Sequence, residues 1–117
     1  MLRELVLRTS GLADLLRDGL ARRASEIRVA FVFGSVAKGE DTATSDVDLF
    51  IVSDTLEYSD LFTILALVER RIGRKVNPQI FTSAELARKR HEKSSFVTRV
   101  LAQPKIWLIG GEDDLSA

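Results

Sequence analysis

The stretch Phe31-Val32-Phe33-Gly34-Ser35-Val36-Ala37-Lys38-Gly39-Glu40, resumed at Ser45-Asp46-Val47-Asp48-Leu49-Phe50-Ile51-Val52, decides the fold. Two apolar runs of strand length, bounded by turn residues, predict two buried neighbouring strands. Side chains alternate along a strand, so Asp46 and Asp48 project on one side while Val47 and Leu49 point the other way, into a core. Two carboxylates on one face repel each other unless a cation sits between them. Mg²⁺, a hard ion that keeps waters and phosphates among its ligands, suits such a pair.

Gly34-Ser35 supplies the other half of a phosphate site. Gly34 allows a sharp turn after the first strand and a close approach to the backbone. Ser35 stands where a short helix begins, offering a hydroxyl and free N–H groups to an anion. Competing motifs fail on particular residues. Gly34 and Gly39 have the glycine spacing of a P-loop, but Glu40-Asp41 follows where Lys-Ser/Thr is required. No Gly-x-Gly-x-x-Gly occurs, and Asp46-Val47-Asp48-Leu49-Phe50 supplies only the first pair of a calcium loop.

Gly-Ser, ten intervening residues (36 to 45) and Asp-x-Asp together resemble the signature of the DNA polymerase β-like nucleotidyltransferase superfamily. The fuller form, Gly34-Ser35-Val36-Ala37-Lys38-Gly39 with Ser45-Asp46-Val47-Asp48-Leu49, is similar to the minimal nucleotidyltransferases of bacteria and archaea. The resemblance covers most of the chain, although only residues 31 to 52 are motif-specific. It implies a small α/β (α+β) fold, a mixed sheet with helices packed mainly on one face.

Composition agrees with one domain over residues 1–117: 45% of the chain is hydrophobic, enough for a packed interior. Seventeen basic and 17 acidic residues cancel, so broad electrostatic binding to nucleic acid is not favoured. The absence of cysteine excludes disulfides and thiolate chemistry and fits a reducing compartment. No apolar segment approaches the roughly 20 residues that span a bilayer, and the N-terminus lacks a signal-peptide layout. The expectation is a cytoplasmic protein without membrane attachment.

Along the chain, Met1 to Arg8 reads equally as an extra helical turn or a docking arm. Thr9 or Ser10 caps a helix running to about Ser25, with Leu12, Leu15, Leu16 and Leu20 at helical spacing. Ile27–Phe33 and Val47–Val52 are the first two strands. A helix from about Ser59 to Ile72 carries Leu61, Ile64, Leu65, Leu67, Val68 and Ile72 on its core face, with Gly73 placed to end it. Lys75–Phe81 is a third strand, and Pro78 makes it an edge strand or a bulged one. Ser83, with Glu85 and Leu86, opens a helix through Arg90. Phe96–Leu101 is a further helical segment, Lys105–Ile109 a final strand, and Glu112-Asp113-Asp114 a frayed tail.

The superfamily moves a nucleoside monophosphate from a nucleoside triphosphate to an acceptor, releasing pyrophosphate. By resemblance, Asp46 and Asp48 are the catalytic, metal-binding carboxylates, holding one or two Mg²⁺, with ATP as substrate. Gly34 and Ser35 hold the terminal phosphates, Lys38 adds positive charge against pyrophosphate, and Ser45, in the nucleotide-binding turn, aims Asp46. Active members carry a third carboxylate on the adjoining strand, where this chain has Asn77. An amide coordinates a cation without adding charge and cannot act as a base. His91, the only histidine, and the run Arg88-Lys89-Arg90 with Lys93 read as a solvated helix face. Trp107 reads as core or as a dimer contact.

The leading expectation is transfer of AMP to a macromolecule. The family's frequent role as antitoxin beside a HEPN-type toxin implies that kind of partner, and a homo-oligomer also stays open. The alternative is a catalytically degenerate module that binds nucleotide or neutralises a partner by contact. Modification of a small molecule would need an acceptor domain for which the chain has little room.

Overall fold

Strands β1 (Val29–Phe33), β2 (Val47–Val52), β3 (Val76–Phe81) and β4 (Ile106–Ile109) form one mixed sheet in the order β3-β2-β1-β4. The computed structural model describes residues 9–115, so the two readings of Met1–Arg8 lie outside the described residues. β1 runs antiparallel to both β2 and β4, while β3 is parallel to β2. Pro78 therefore lies on an edge strand, where its missing N–H leaves no gap in the ladder.

Helices α1 (Thr9–Leu20) and α3 (Tyr58–Ile72), with the short α2 (Ser35–Lys38), lie on one side. There Leu12, Leu16, Leu61, Leu65 and Val68 close over Ala30, Val32, Val47, Leu49 and Ile51. Val47 and Leu49 thus point into the core as their alternation requires. Leu67 does not belong to this face: it is 58% exposed. The apolar positions of α3 cover a wider arc than the sheet can bury, and Leu67 falls outside it. Tyr58 and Phe62 are exposed on the same helix and pack edge to face.

The opposite side of the sheet holds a smaller core, covered by α4 (Ser83–His91), α5 (Ser95–Ala102) and the chain end. Its centre is aromatic. Phe31 stacks on Phe50 at 4.8 Å between ring centroids, and Trp107 meets Phe31 edge-on at 5.2 Å. Such pairs add about 0.5–1.5 kcal/mol each beyond burial. Trp107 is thus a core contact of the sheet.

Two local expectations change. The first helix gives way after Leu20 to a 3-10 segment, Ala21–Glu26, in which no side chain is buried; it is held by polar contacts, Ser53 Oγ donating to the Glu26 carbonyl and Arg23 pairing with Asp60. α4 opens at Ser83 as expected, and Thr82 caps it. Its hydroxyl accepts from Glu85 N at 3.0 Å while the Glu85 carboxylate accepts from Thr82 N at 2.8 Å. The acidic tail is docked rather than frayed: Glu112–Leu115 forms a 3-10 turn and Leu115 is buried. Gly111 N donates to Asp114, and the Arg90 guanidinium donates to the Leu115 carbonyl at 2.6 Å.

Candidate active site

Alternation along β2 puts Asp48 on the aromatic side of the sheet, two residues before Phe50 and toward the strand's N-terminal end. Its neighbours across the ladder are Phe33 of β1 and Asn77 of β3. Asp46 precedes β2 and is exposed, whereas Asp48 is half-buried. Burial, and then the charge of Asp46, push the Asp48 carboxyl above its ordinary range, and the Asn77 amide opposes that rise. The pair is therefore a concentration of negative charge in which Asp48 is partly shielded from solvent while Asp46 is exposed.

Gly34 brings the phosphate-type turn against this pair. It leaves β1 at φ 75° and ψ −149°, a conformation that disfavours any side chain. A Cβ at this position would run into Asp48 Oδ2. The backbone at Gly34 and the second carboxylate are thus in direct contact across β1 and β2. Ser35 opens α2 and Lys38 ends it, with Lys38 exposed.

Asn77 lies beside the carboxylates, as its place in the element order suggested. It pairs with Asp48 in the strand register, and its Nδ2 donates to Asp46 Oδ2 at 2.9 Å. In this orientation it serves Asp46 as a donor rather than offering its oxygen. Ser45 is engaged within its own loop: its hydroxyl accepts from Thr42 N at 2.9 Å, and its N–H donates to the Thr42 carbonyl at 3.1 Å. That hydroxyl shapes the turn preceding Asp46.

Arg74 escaped the sequence reading. Its side chain is 8% exposed, beneath the loop that leads to Asp46. Nε donates to the Ser45 carbonyl at 2.8 Å and Nη2 stands 3.0 Å from Asp41 Oδ2. No local pattern marks it, because its partners lie about 30 residues earlier and meet it only through the parallel pairing of β2 and β3. His91 and Lys93 are exposed at the end of α4, away from these groups in the fold.

Among the described residues, no group of three or more His, Cys, Asp or Glu gathers as a metal cluster. The donor set is two carboxylates with an amide beside them. Hard oxygen ligands of that number fit a divalent ion such as Mg²⁺, which takes one or two protein carboxylates and completes its shell with water and phosphate. The crowding of Asp46 and Asp48 favours such an ion on electrostatic grounds.

A mixed sheet that places a Gly-Ser turn against a carboxylate pair on the next strand defines a nucleotidyltransferase type of architecture. The family described as Polymerase beta, Nucleotidyltransferase matches residues 18–100, and the chain belongs to that family. No curated protein matches the chain in sequence. Among solved structures, a toxin–antitoxin complex with AMP-PNP superposes with a TM-score of 0.62 at 16% identity, covering 87% of this chain and 76% of that one. A mutant MntA–HpeT toxin–antitoxin complex gives 0.61 at 16% identity, over 93% and 78% of the two chains. The tri-AMPylated Shewanella oneidensis HEPN toxin in complex with MNT antitoxin gives 0.60 at 14%, over 91% and 76%. At these identities the likeness is one of fold.

Proposed function

We infer that this chain is an antitoxin-type nucleotidyltransferase that transfers AMP from ATP to a protein partner of the HEPN toxin kind. The observation that carries the reading is the contact of Gly34 with Asp48, which joins a phosphate-type turn to a carboxylate pair. Family membership and the likeness of fold to antitoxins solved with HEPN toxins support it.

In this reading Asp46 and Asp48 hold the divalent ion, and Gly34 and Ser35 receive the terminal phosphates through backbone N–H groups and the Ser35 hydroxyl. The bound ion neutralises triphosphate charge and lowers the pKa of an acceptor hydroxyl. The acceptor oxygen bonds to the α-phosphorus as the bond to pyrophosphate breaks, and the hydroxyl proton passes to solvent. Asn77 cannot take that proton; its part is to hold Asp46 in place. A macromolecular acceptor suits the open end of the sheet, where Asn77 also lines a surface groove flanked by the exposed Tyr58 and Phe62. Among the described residues no helix is long and apolar enough to cross a membrane, and we place the activity in the cytoplasm.

One observation favours a second reading. With Asn77 donating to Asp46 where a third carboxylate would add charge, the ion that activates an acceptor loses a ligand. The chain would then bind Mg²⁺–ATP and neutralise its partner by contact.

ATP labelled on the α-phosphate, incubated with Mg²⁺, the chain and lysate of the source cells, separates the two. Label on a discrete protein band with wild type but not with Asp48→Asn supports transfer. Mg²⁺-dependent ATP binding without transferred label supports the contact module, and neither result would sink both readings.

A further inference from the structure

Asp48 is fixed by the ladder of β2, but Asp46 stands outside the strand at the end of an exposed loop. Repulsion between the two carboxylates pushes the looser one away. The Asn77 amide holds the Asp46 carboxylate, but the loop backbone that carries Asp46 needs a tie of its own before any cation arrives.

We propose that Arg74 is the positioning residue for Asp46, presetting the carboxylate pair for a divalent cation; this rests on the metal–nucleotide reading above. Three observations converge on it. The guanidinium is more than nine-tenths buried, a costly place for a charge without a function for its partners. It grips both ends of the loop: Asp41 by an ion pair at 3.0 Å, and the carbonyl of Ser45, the residue immediately before Asp46, at 2.8 Å. The loop's other internal bonds, Thr42 to Ser45, close its turn without tying it to the sheet. Arg74 is the tie. It stands at the entry to β3, next to Lys75, whose carbonyl accepts from Val47 N at 2.8 Å. The guanidinium thus carries the register of β2 and β3 into the loop.

The planar fork is essential to this role. Arg74 donates to the Ser45 carbonyl through Nε, and the same rigid group carries Nη2, which makes no hydrogen bond, to 3.0 Å from Asp41 Oδ2 as an ion pair. A lysine ammonium keeps the charge but not the spacing. Arg74→Lys therefore retains part of the effect, and Arg74→Gln loses the ion pair outright.

The test uses the whole chain with two readouts other than transfer. Hydrogen exchange of the metal-free protein reports the order of residues 41 to 46. Mn²⁺ binding in the presence of ATP, followed by electron paramagnetic resonance, reports the preset pair. For Arg74→Gln we expect about tenfold faster exchange confined to that loop and Mn²⁺ affinity weaker by about tenfold to a hundredfold, the usual effect of removing a group that orients a metal ligand. Arg74→Lys falls between. Should Arg74→Gln fail to fold, Asp41→Asn, which removes only the ion pair, and Arg74→Lys make the same comparison. Unchanged loop exchange and unchanged Mn²⁺ affinity in folded variants overturn the role of Arg74 alone. Wild type that binds no Mn²⁺ with ATP overturns the metal reading, and this proposal with it.

Discussion

The side-chain amide of Asn77 donates to Asp46 Oδ2 at 2.9 Å, from the strand position directly across from Asp48. The site is thus braced by a neutral donor at a place where a carboxylate would repel both aspartates. Asn77→Asp should remove the brace and crowd a third charge beside them. A hydrogen bond to an exposed carboxylate contributes about 1 kcal/mol net, and we expect at least that loss of stability without metal. With saturating Mg²⁺ and ATP the sign should reverse, because three carboxylates hold the ion better than two. Thermal unfolding with and without Mg²⁺–ATP checks this. A variant whose metal-dependent gain is no larger than that of wild type would refute it.

Asp48 should lower stability at neutral pH. Its carboxyl is raised by burial and by Asp46, so its favourable contribution is complete below the ordinary carboxylate range and is lost as pH climbs through the raised value. Asp48→Asn, which removes that charge, should raise Tm by a few degrees at pH 7, and the gain should shrink as pH falls toward 4. Melting curves across that range decide it. A gain independent of pH would show that the charge is not the cause.

Much of this site is legible in the chain because its parts are local. Gly34-Ser35 and Asp46-x-Asp48 are each a strand end with its turn, and periodicity places both. Pro78 narrows β3 to an edge strand or a bulged one because of its missing N–H, and the strand order makes it the edge. What stays hidden depends on pairing. Nothing near Arg74 announces partners at Asp41 and Ser45, and nothing in Leu67 says that the sheet runs out before reaching it. The docked acidic tail is hidden for the same reason, since the Leu115 carbonyl finds Arg90 only after α4 has folded across.

The contact of Gly34 with Asp48 yields a paired prediction with Gly39. Both have positive φ, 75° and 73°, but only Gly39, at ψ 23°, is left-handed helical, where alanine costs about 1–2 kcal/mol. Gly34, at ψ −149°, lies in a region almost reserved for glycine, so its backbone penalty is larger. At Gly39 a Cβ meets nothing, whereas at Gly34 it meets Asp48 Oδ2. Gly39→Ala should thus show the backbone penalty alone and keep nucleotide binding. Gly34→Ala should destabilise further and lose Mg²⁺-dependent ATP binding at least tenfold, because Asp48 must move. Denaturant unfolding and ATP titration of both variants test the contrast. Equal effects in the two would mean that the Asp48 contact is unimportant.

The edges of the sheet bear on self-association. Val47 N and Ser53 N donate to the carbonyls of Lys75 and Phe81, so alternate residues of β3 face β2 and the intervening Val76, Pro78 and Ile80 face outward. Of those three, Val76 N is taken by the Glu69 carboxylate at 2.7 Å, Pro78 has no N–H, and Ile80 alone can offer one. At the other edge, the Trp107 carbonyl of β4 accepts from Arg17 at 2.7 Å. Both rims are therefore partly closed to strand addition, the usual protection of exposed edges. Opening β3 with Glu69→Ala and Pro78→Val together should cost about 1–2 kcal/mol of stability, chiefly the lost charge-assisted bond. It should also produce concentration-dependent association beyond that of wild type. Sedimentation velocity over a hundredfold concentration range measures it. If the double variant sediments as wild type does, Glu69 and Pro78 do not guard this edge, and any assembly of the chain must use another surface.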